Sequence, residues 1–352
     1  MYCSIIPPYL LRRLAAQREP RLSGAARAAK EALLHVRSFR TSRAAPGPVI
    51  PPGMREIKPS PPERTVYDAK FAEQLPGSVV RKEGEPATGD PAADEAYDGL
   101  GHTHRLYAEA FGRNSIDGNG LHLDATVHFG RLYDNAFWDG RQMVFGDGDG
   151  QVFQRFTKSL SVIGHELAHG VTQYSAGLAY RNQAGALNES MSDVFGALVE
   201  QYVKKQSTAE ASWLIGEGLF TDQVQGRALR SMKAPGTAYD DDVLGKDPQP
   251  DSMETYVHTS ADYGGVHINS GIPNRAFCLV ATTLGGKAWD APAQIWCHTL
   301  TGGTLAANAT FGAFAKATAA SAGELFGAES AEHDAVLSAW ETVKVKIPGI
   351  RR

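Results

Sequence analysis

Two short stretches, 20 residues apart, constrain this 352-residue chain more than any other feature. Residues 165–169 read His-Glu-Leu-Ala-His, inside SLSVIGHELAHGVTQY. On a helix, side chains four apart share a face, so His165 and His169 can offer two imidazoles to one metal ion. Glu166 lands beside that ion without having to bind it, where a general base belongs. A catalytic site of this kind wants a third protein ligand and one open position. Residues 185–196, GALNESMSDVFG, carry Glu189, 20 residues after His169. That gap lets the first helix end, a loop turn, and a second helix bring a carboxylate back. Asp193, four residues on, shares the face of Glu189. It can accept the second N–H of a metal-bound histidine and fix its tautomer. Asn188 can do the same for the other imidazole. The bland alternative is a chance motif on a solvated helix followed by an ordinary charged face; the combined spacing argues against it.

The rest of the chain divides by composition. Residues 1–43 hold nine Lys/Arg and two acids, and GAARAAKEALLHVRS (24–38) predicts a helix by propensity. Residues 44–63 are proline-rich and read as an exposed, extended linker. From Thr65 onward the pattern is globular. Alternating apolar residues and Gly/Asp turns at 66–90 and 119–157 predict strands, DATVHFG and RQMVFGDG most clearly. Residues 91–113 predict a helix, and Ala-rich amphipathic stretches at 187–205, 273–284, 291–299, 310–321 and 331–344 predict five more. The expected architecture is α+β, a β-rich lobe at 64–160 followed by a mainly helical lobe at 161–352.

Exclusions follow from charge and hydropathy. A formal net charge of −4 leaves no broad basic field for nucleic acid. No stretch reaches the roughly 18 apolar residues of a membrane span. Pro7, Pro8, Arg12 and Arg13 interrupt any apolar core of a secretory signal, so the expectation is a cytoplasmic protein or one exported by a nonclassical route. An organelle transit peptide is the rival reading of the basic N-terminus, and the less favoured one. Cys3, Cys278 and Cys297 are too few for a disulfide framework; Cys278 and Cys297 could pair, which spacing alone does not show, and the favoured expectation is two buried small hydrophobes.

With these residues in view, the chain resembles the thermolysin-like zinc metalloprotease family over roughly 65–350. HELAHGVTQYSAGLAYRNQAGALNESMSDVFG is similar to that family's zinc region nearly end to end. DYGGVHINSGIPNRAF (262–277), LYDNAFWDGRQMVFGDGDG (132–150) and LRSM (229–232) match further family stretches. The resemblance implies a two-lobed metalloprotease with one catalytic Zn²⁺ held by His165, His169 and Glu189. It implies Glu166 as general base, with Tyr180 and His267 as oxyanion donors and Asp262 orienting His267. Arg230 is expected to bind a substrate carbonyl just beyond the cut, and Asn135 and Ala136 to bind an extended peptide by strand addition. Phe153, Val162 and Leu229 match the walls of the pocket after the cut bond, which implies a preference for a large hydrophobic residue there.

Two features depart from the long-propeptide pattern. Of the positions matching the family's calcium ligands, Glu200 and Glu217 remain, while Ser161, Ser212 and Leu214 supply no carboxylate, so structural Ca²⁺ is doubtful. The opening segment resembles the short propeptides of the protealysin-type subgroup, with Pro7, Pro8 and Tyr9 as its inhibitory motif. The expectation is therefore a zymogen: residues 1 to about 50 occupy the cleft in cis, and the linker up to about 63 is where it is cut. For Cys3, ordinary packing is preferred over a thiolate capping the zinc. The competing functions are a catalytically silent peptide-binding relative and a zinc exopeptidase; intact Glu166, Tyr180 and His267 argue against the first.

Overall fold

The computed structural model describes residues 3–39 and 59–349. The expected linker and its processing site fall mostly on 40–58, outside the described residues.

The chain opens with a two-residue strand, β1 (Cys3–Ser4), then α1 (Pro8–Ala15) and α2 (Ser23–Phe39). Helix α2 matches the propensity reading. Helix α1 was not expected, because two prolines read as interrupters. Pro8 instead sits in the first turn of α1, where its missing N–H is not needed and its fixed φ suits the helix. Leu10, Leu11 and Leu14 of α1 are fully buried and join the main core.

The first globular lobe holds β2 (Arg64–Asp68), β3 (Ser78–Lys82), α3 (Pro91–Phe111), β4 (Leu123–Val127), β5 (Ala136–Trp138) and β6 (Met143–Phe145). Asp90 caps α3 by accepting the N–H groups of Ala92 and Ala93, and Gly112 ends it in the left-handed conformation. The six-stranded sheet runs in the order β1-β5-β6-β4-β2-β3. Its interior is mixed: β2, β4 and β6 are parallel, while β5 and β3 pair antiparallel at either side. Strand β1 pairs antiparallel with β5, Cys3 opposite Trp138 and Ser4 opposite Phe137. The N-terminal segment thus covers an edge that the globular lobe alone leaves open.

The second lobe starts with α4 (Leu160–Gln173) and α5 (Asn182–Lys204). Two small ribbons follow: β7 (Leu214–Ile215) with β8 (Arg230–Ser231), and β9 (Asp240–Asp241) with β10 (Gly245–Lys246). The lobe closes with α6 (Asp262–Asn269), α7 (Gly271–Leu284), α8 (Ala291–Thr301), α9 (Phe311–Phe326) and α10 (Ala331–Thr342). The ribbons between α5 and α6 are the part of this lobe that helical periodicity could not show. Cys278 and Cys297 are free and buried, as expected of core hydrophobes.

One clamp was not foreseen in the first lobe. His128 reaches Asp147 through Nδ1 at 2.8 Å and Asp90 through Nε2 at 2.8 Å. Its backbone is left-handed, with φ at 54°. The Asp147 bond raises its pKa to about 9 against the cost of burial, with Asp90 adding to the rise. A raised histidine pKa stabilises fully below the unfolded value of about 6.5, and that contribution is lost as pH climbs through the folded value. His128→Ala should lower unfolding free energy at pH 7 by on the order of 2 kcal/mol. Urea unfolding of both proteins should show the gap closing toward pH ~10; a gap that persists there contradicts the clamp.

Candidate metal centre and cleft

Helices α4 and α5 touch backbone to backbone through glycine. A Cβ on Gly196 would lie 2.4 Å from the Ser161 carbonyl oxygen and 3.2 Å from His165 Cβ. A Cβ on Gly164 would lie 3.1 Å from the Gly196 Cα. Any larger residue would push the helices apart, and with them the side chains they present to each other.

That contact sets two imidazoles against one carboxylate. His165 Nδ1 lies 2.8 Å from Asp193 Oδ1, and His169 Nδ1 lies 2.8 Å from Asn188 Oδ1. The Asn188 amide is oriented by its own N–H bond to the Leu178 carbonyl at 3.0 Å, which leaves Oδ1 to accept. Ser192 Oγ is a second neighbour of His169 Nδ1, at 3.0 Å. Both histidines therefore carry their proton on Nδ1 and turn a lone pair outward from Nε2. The two Nε2 atoms face each other at 3.1 Å. Glu189 Oε2 is 3.5 Å from His165 Nε2, and Oε1 is 3.6 Å from His169 Nε2. All three residues are buried, and Glu189 Oε2 makes no hydrogen bond. Three acceptors converging without a proton between them repel unless a cation sits among them, so the donor set fits zinc.

Burial lowers the His169 pKa to about 3, keeping a neutral ligand. Burial alone would raise Glu189, but the charge of His267, with that of Arg230, holds it below the usual carboxylate value. Among the described residues no second cluster of three or more His, Cys, Asp or Glu gathers in this way, and Cys3 is not part of the first.

The other expected site residues surround this centre. Glu166 is buried on α4; its Oε2 accepts the Trp138 N–H at 2.9 Å and its Oε1 is unbonded. Burial and the neighbouring Glu189 raise its pKa well above the usual range. Tyr180 donates a hydrogen bond to Glu189 Oε1, and its hydroxyl lies 3.1 Å from His267 Nε2. Asp262 accepts twice from His267, from Nδ1 at 2.7 Å and from the backbone N–H at 2.9 Å. Burial opposes protonation of His267, but Asp262 and then Glu189 outweigh it and raise its pKa to about 9. The first turn of α6 that allows this is not α-helical: Asp262, Tyr263, Gly264 and Gly265 are left-handed in succession, two of them non-glycine. Such residues cost on the order of 1 kcal/mol each, held here by the double Asp262 contact.

Arg230, fully buried on β8, forks onto Asp193 with Nε to Oδ2 and Nη2 to Oδ1, both at 2.8 Å. Its remaining Nη1 donates to the Ile5 carbonyl at 3.2 Å. Pairing β8 with β7, Arg230 opposite Ile215, fixes where the fork starts. Asn135 Oδ1 accepts the Ile6 N–H at 3.0 Å, and the Ala136 carbonyl accepts the Ile5 N–H at 3.1 Å. Val162 lies on α4 one turn before Glu166, Leu229 directly precedes Arg230, and Phe153 stacks on Phe220 with ring centres 5.5 Å apart; all three are buried.

The cleft-filling segment differs from expectation in its register. The peptide against the site is Cys3 to Ile6. Pro7 and Pro8 end that strand and open α1, while Tyr9 turns to Tyr239. The reason is local: a proline offers no N–H to a strand partner but suits a helix start. Sequence reading also missed Asn274, whose Nδ2 donates to Asp193 Oδ2 at 2.8 Å, and the tie between Arg230 and Asp193. Neither has a local signal, since the partners lie 81 and 37 residues apart.

A buried His-His-Glu donor set, its two histidines on the helix between two lobes, fits a zinc metalloprotease. The comparisons place it further. The thermolysin metallopeptidase catalytic-domain model matches residues 62–173, and the thermolysin metallopeptidase alpha-helical-domain model matches 176–345. An extracellular metalloprotease of Pectobacterium carotovorum is 49% identical over 98% of this chain and 97% of its own length. Protease PrtS of Photorhabdus is 51% identical over 81% of this chain and 76% of its own. The solved precursor of protealysin, from Serratia proteamaculans, superposes with a TM-score of 0.87 at 49% identity, covering 97% of this chain and 99% of that one. The chain belongs to the thermolysin family of metallopeptidases, in the short-propeptide subgroup that includes protealysin.

The Asp193 carboxylate holds a zinc ligand and Arg230 at once. Asp193→Asn should weaken zinc binding by about 10–100-fold, because the His165 Nδ1–H loses its charged acceptor. Competition with a coloured chelator measures this; unchanged zinc affinity contradicts the assignment.

Proposed function

We propose that the chain is a zymogen of a neutral endopeptidase, with residues 1 to about 50 as propeptide and lobes at 64–160 and 161–352. The observation that supports it most is the convergence of Glu166, His267 and Arg230 on one extended peptide segment beside a zinc donor set. Zinc bound by His165, His169 and Glu189 supplies Lewis-acid charge that acidifies water and polarises a carbonyl.

The chain's own groups do the remaining work. Glu166, buried and with raised proton affinity, takes a proton from the attacking water and passes it to the departing amine. His267, protonated and held by Asp262, donates to the carbonyl oxygen as it gains charge, and Tyr180 adds a second donor. Arg230 grips the next carbonyl downstream, anchored by Asp193, so its position does not depend on substrate. Asn135 and Ala136 bind the peptide as an added strand along β5. Phe153, Val162 and Leu229 wall the pocket after the cut and favour a large apolar residue there. The Pectobacterium relative is named extracellular, which favours export of this chain; no described helix is long and apolar enough to cross a membrane.

Mature protein should hydrolyse casein, and a zinc chelator should abolish that. Glu166→Ala should keep one zinc per chain and lose about 10²–10⁴-fold in kcat/KM. Zinc retention with wild-type hydrolysis contradicts the role of Glu166. Cleavage sites mapped in a denatured protein should fall before Leu, Ile, Phe or Val; dominant cutting before Asp, Lys or Gly contradicts the pocket.

A further inference from the structure

The N-terminal strand lies in the cleft in one defined register, and the polar contacts bracket a single peptide bond. The Ser4 carbonyl oxygen is 3.1 Å from His267 Nε2. The next N–H, of Ile5, donates to the Ala136 carbonyl at 3.1 Å and lies near enough to the Glu166 carboxylate to favour its charged form. The Ile5 carbonyl takes Arg230 Nη1 at 3.2 Å, and the Ile6 N–H reaches Asn135 Oδ1 at 3.0 Å. The group that stabilises a developing oxyanion therefore holds the Ser4 carbonyl. The group that returns a proton to the leaving amine stands at the Ile5 nitrogen. The downstream clamp is closed on Ile5 and Ile6, whose side chains are fully buried. A slip of one residue would break all of these hydrogen bonds, which together fix the register.

We propose that Ser4–Ile5 is a cleavage site of the chain's own centre, hydrolysed in cis to release residues 1–4; the inference rests on the endopeptidase reading above. The step consumes one water. Its oxygen bonds to the Ser4 carbonyl carbon, the C–N bond breaks, Ser4 keeps a carboxylate, and the Ile5 nitrogen leaves as an amine with the proton carried by Glu166. Nothing else is required of the zinc-loaded protein. The cut does not by itself free the cleft. Ile5 and Ile6 stay seated, and α1 behind them is anchored by Leu10, Leu11 and Leu14 in the core and by Arg13 to the Val243 and Asp242 carbonyls at 3.0 and 2.9 Å. Removing residues 1–4 takes away β1 and uncovers β5 on the acyl side, while the amine side remains plugged. The nick is thus a separate event from processing in the linker.

The test uses the full zinc-loaded chain and its Glu166→Ala variant, followed by intact mass and N-terminal peptide mapping. In the wild type the first residue should become Ile5, at a rate unchanged by tenfold dilution, while Glu166→Ala keeps Met1. In Glu166→Ala, hydrogen exchange of the peptide spanning 1–10 should be slow, because Ile5 and Ile6 amides are bonded in the cleft. Wild-type protein that keeps residues 1–4, while the mature form from the same preparation hydrolyses casein, overturns the inference and leaves the endopeptidase reading standing. A rate that rises in proportion to concentration overturns the cis assignment. Fast exchange at Ile5 and Ile6 overturns the register. Loss of casein hydrolysis as well sinks the endopeptidase reading, and this inference with it.

Discussion

The buried carboxylate of Asp193 is the joint on which the site turns. It accepts from His165 on α4, takes both prongs of Arg230 on β8, and receives the Asn274 amide from α7. A lone carboxylate with no exposure would be too costly to ionise. Burial pushes its pKa up, yet Arg230 and His165 hold it far below the usual carboxylate range. One ion pair therefore ties a metal-binding imidazole to the group that grips the peptide. Neither can shift without the other, which is what a reaction requiring sub-ångström placement needs. Removing Arg230 alone would strand that charge, the kind of loss that costs about 3–5 kcal/mol.

The rest of the centre is a balance of like and unlike charge that only a cation completes. His165 and His169 present lone pairs to each other, and Glu189 adds a third acceptor. Glycine at 164 and 196 makes the approach of α4 and α5 close enough for that crowding. Around it, pKa values are pushed apart by environment. Glu166 is driven up by burial and by Glu189, suiting it to hold a proton, while His267 is driven up by Asp262, suiting it to donate one. Covering β5 with β1 then lays the chain's own backbone along the edge beside this centre.

Much of this is legible in the sequence. The four-residue spacing of His165 and His169 and the 20-residue step to Glu189 depend only on helix geometry, and that periodicity is written locally in sequence. Helices α5 and α7–α10 followed from the same periodicity, and α2 from helix propensity. The readings that fell short depend on partners far away in the chain. The strand Cys3–Ser4 exists only because β5 offers an edge 133 residues later. Helix α1 was obscured by Pro7 and Pro8, since proline marks both a helix start and a helix break. The His128 clamp and the Asn274 contact join residues whose proximity no local pattern encodes.

The position of the bound zinc is the most direct test of this site. Anomalous diffraction at the zinc edge from crystals of the full chain should show one strong site, coordinated by His165 Nε2, His169 Nε2 and a Glu189 carboxylate oxygen. A site elsewhere, or a Glu189 side chain turned away from the two imidazoles, would contradict it.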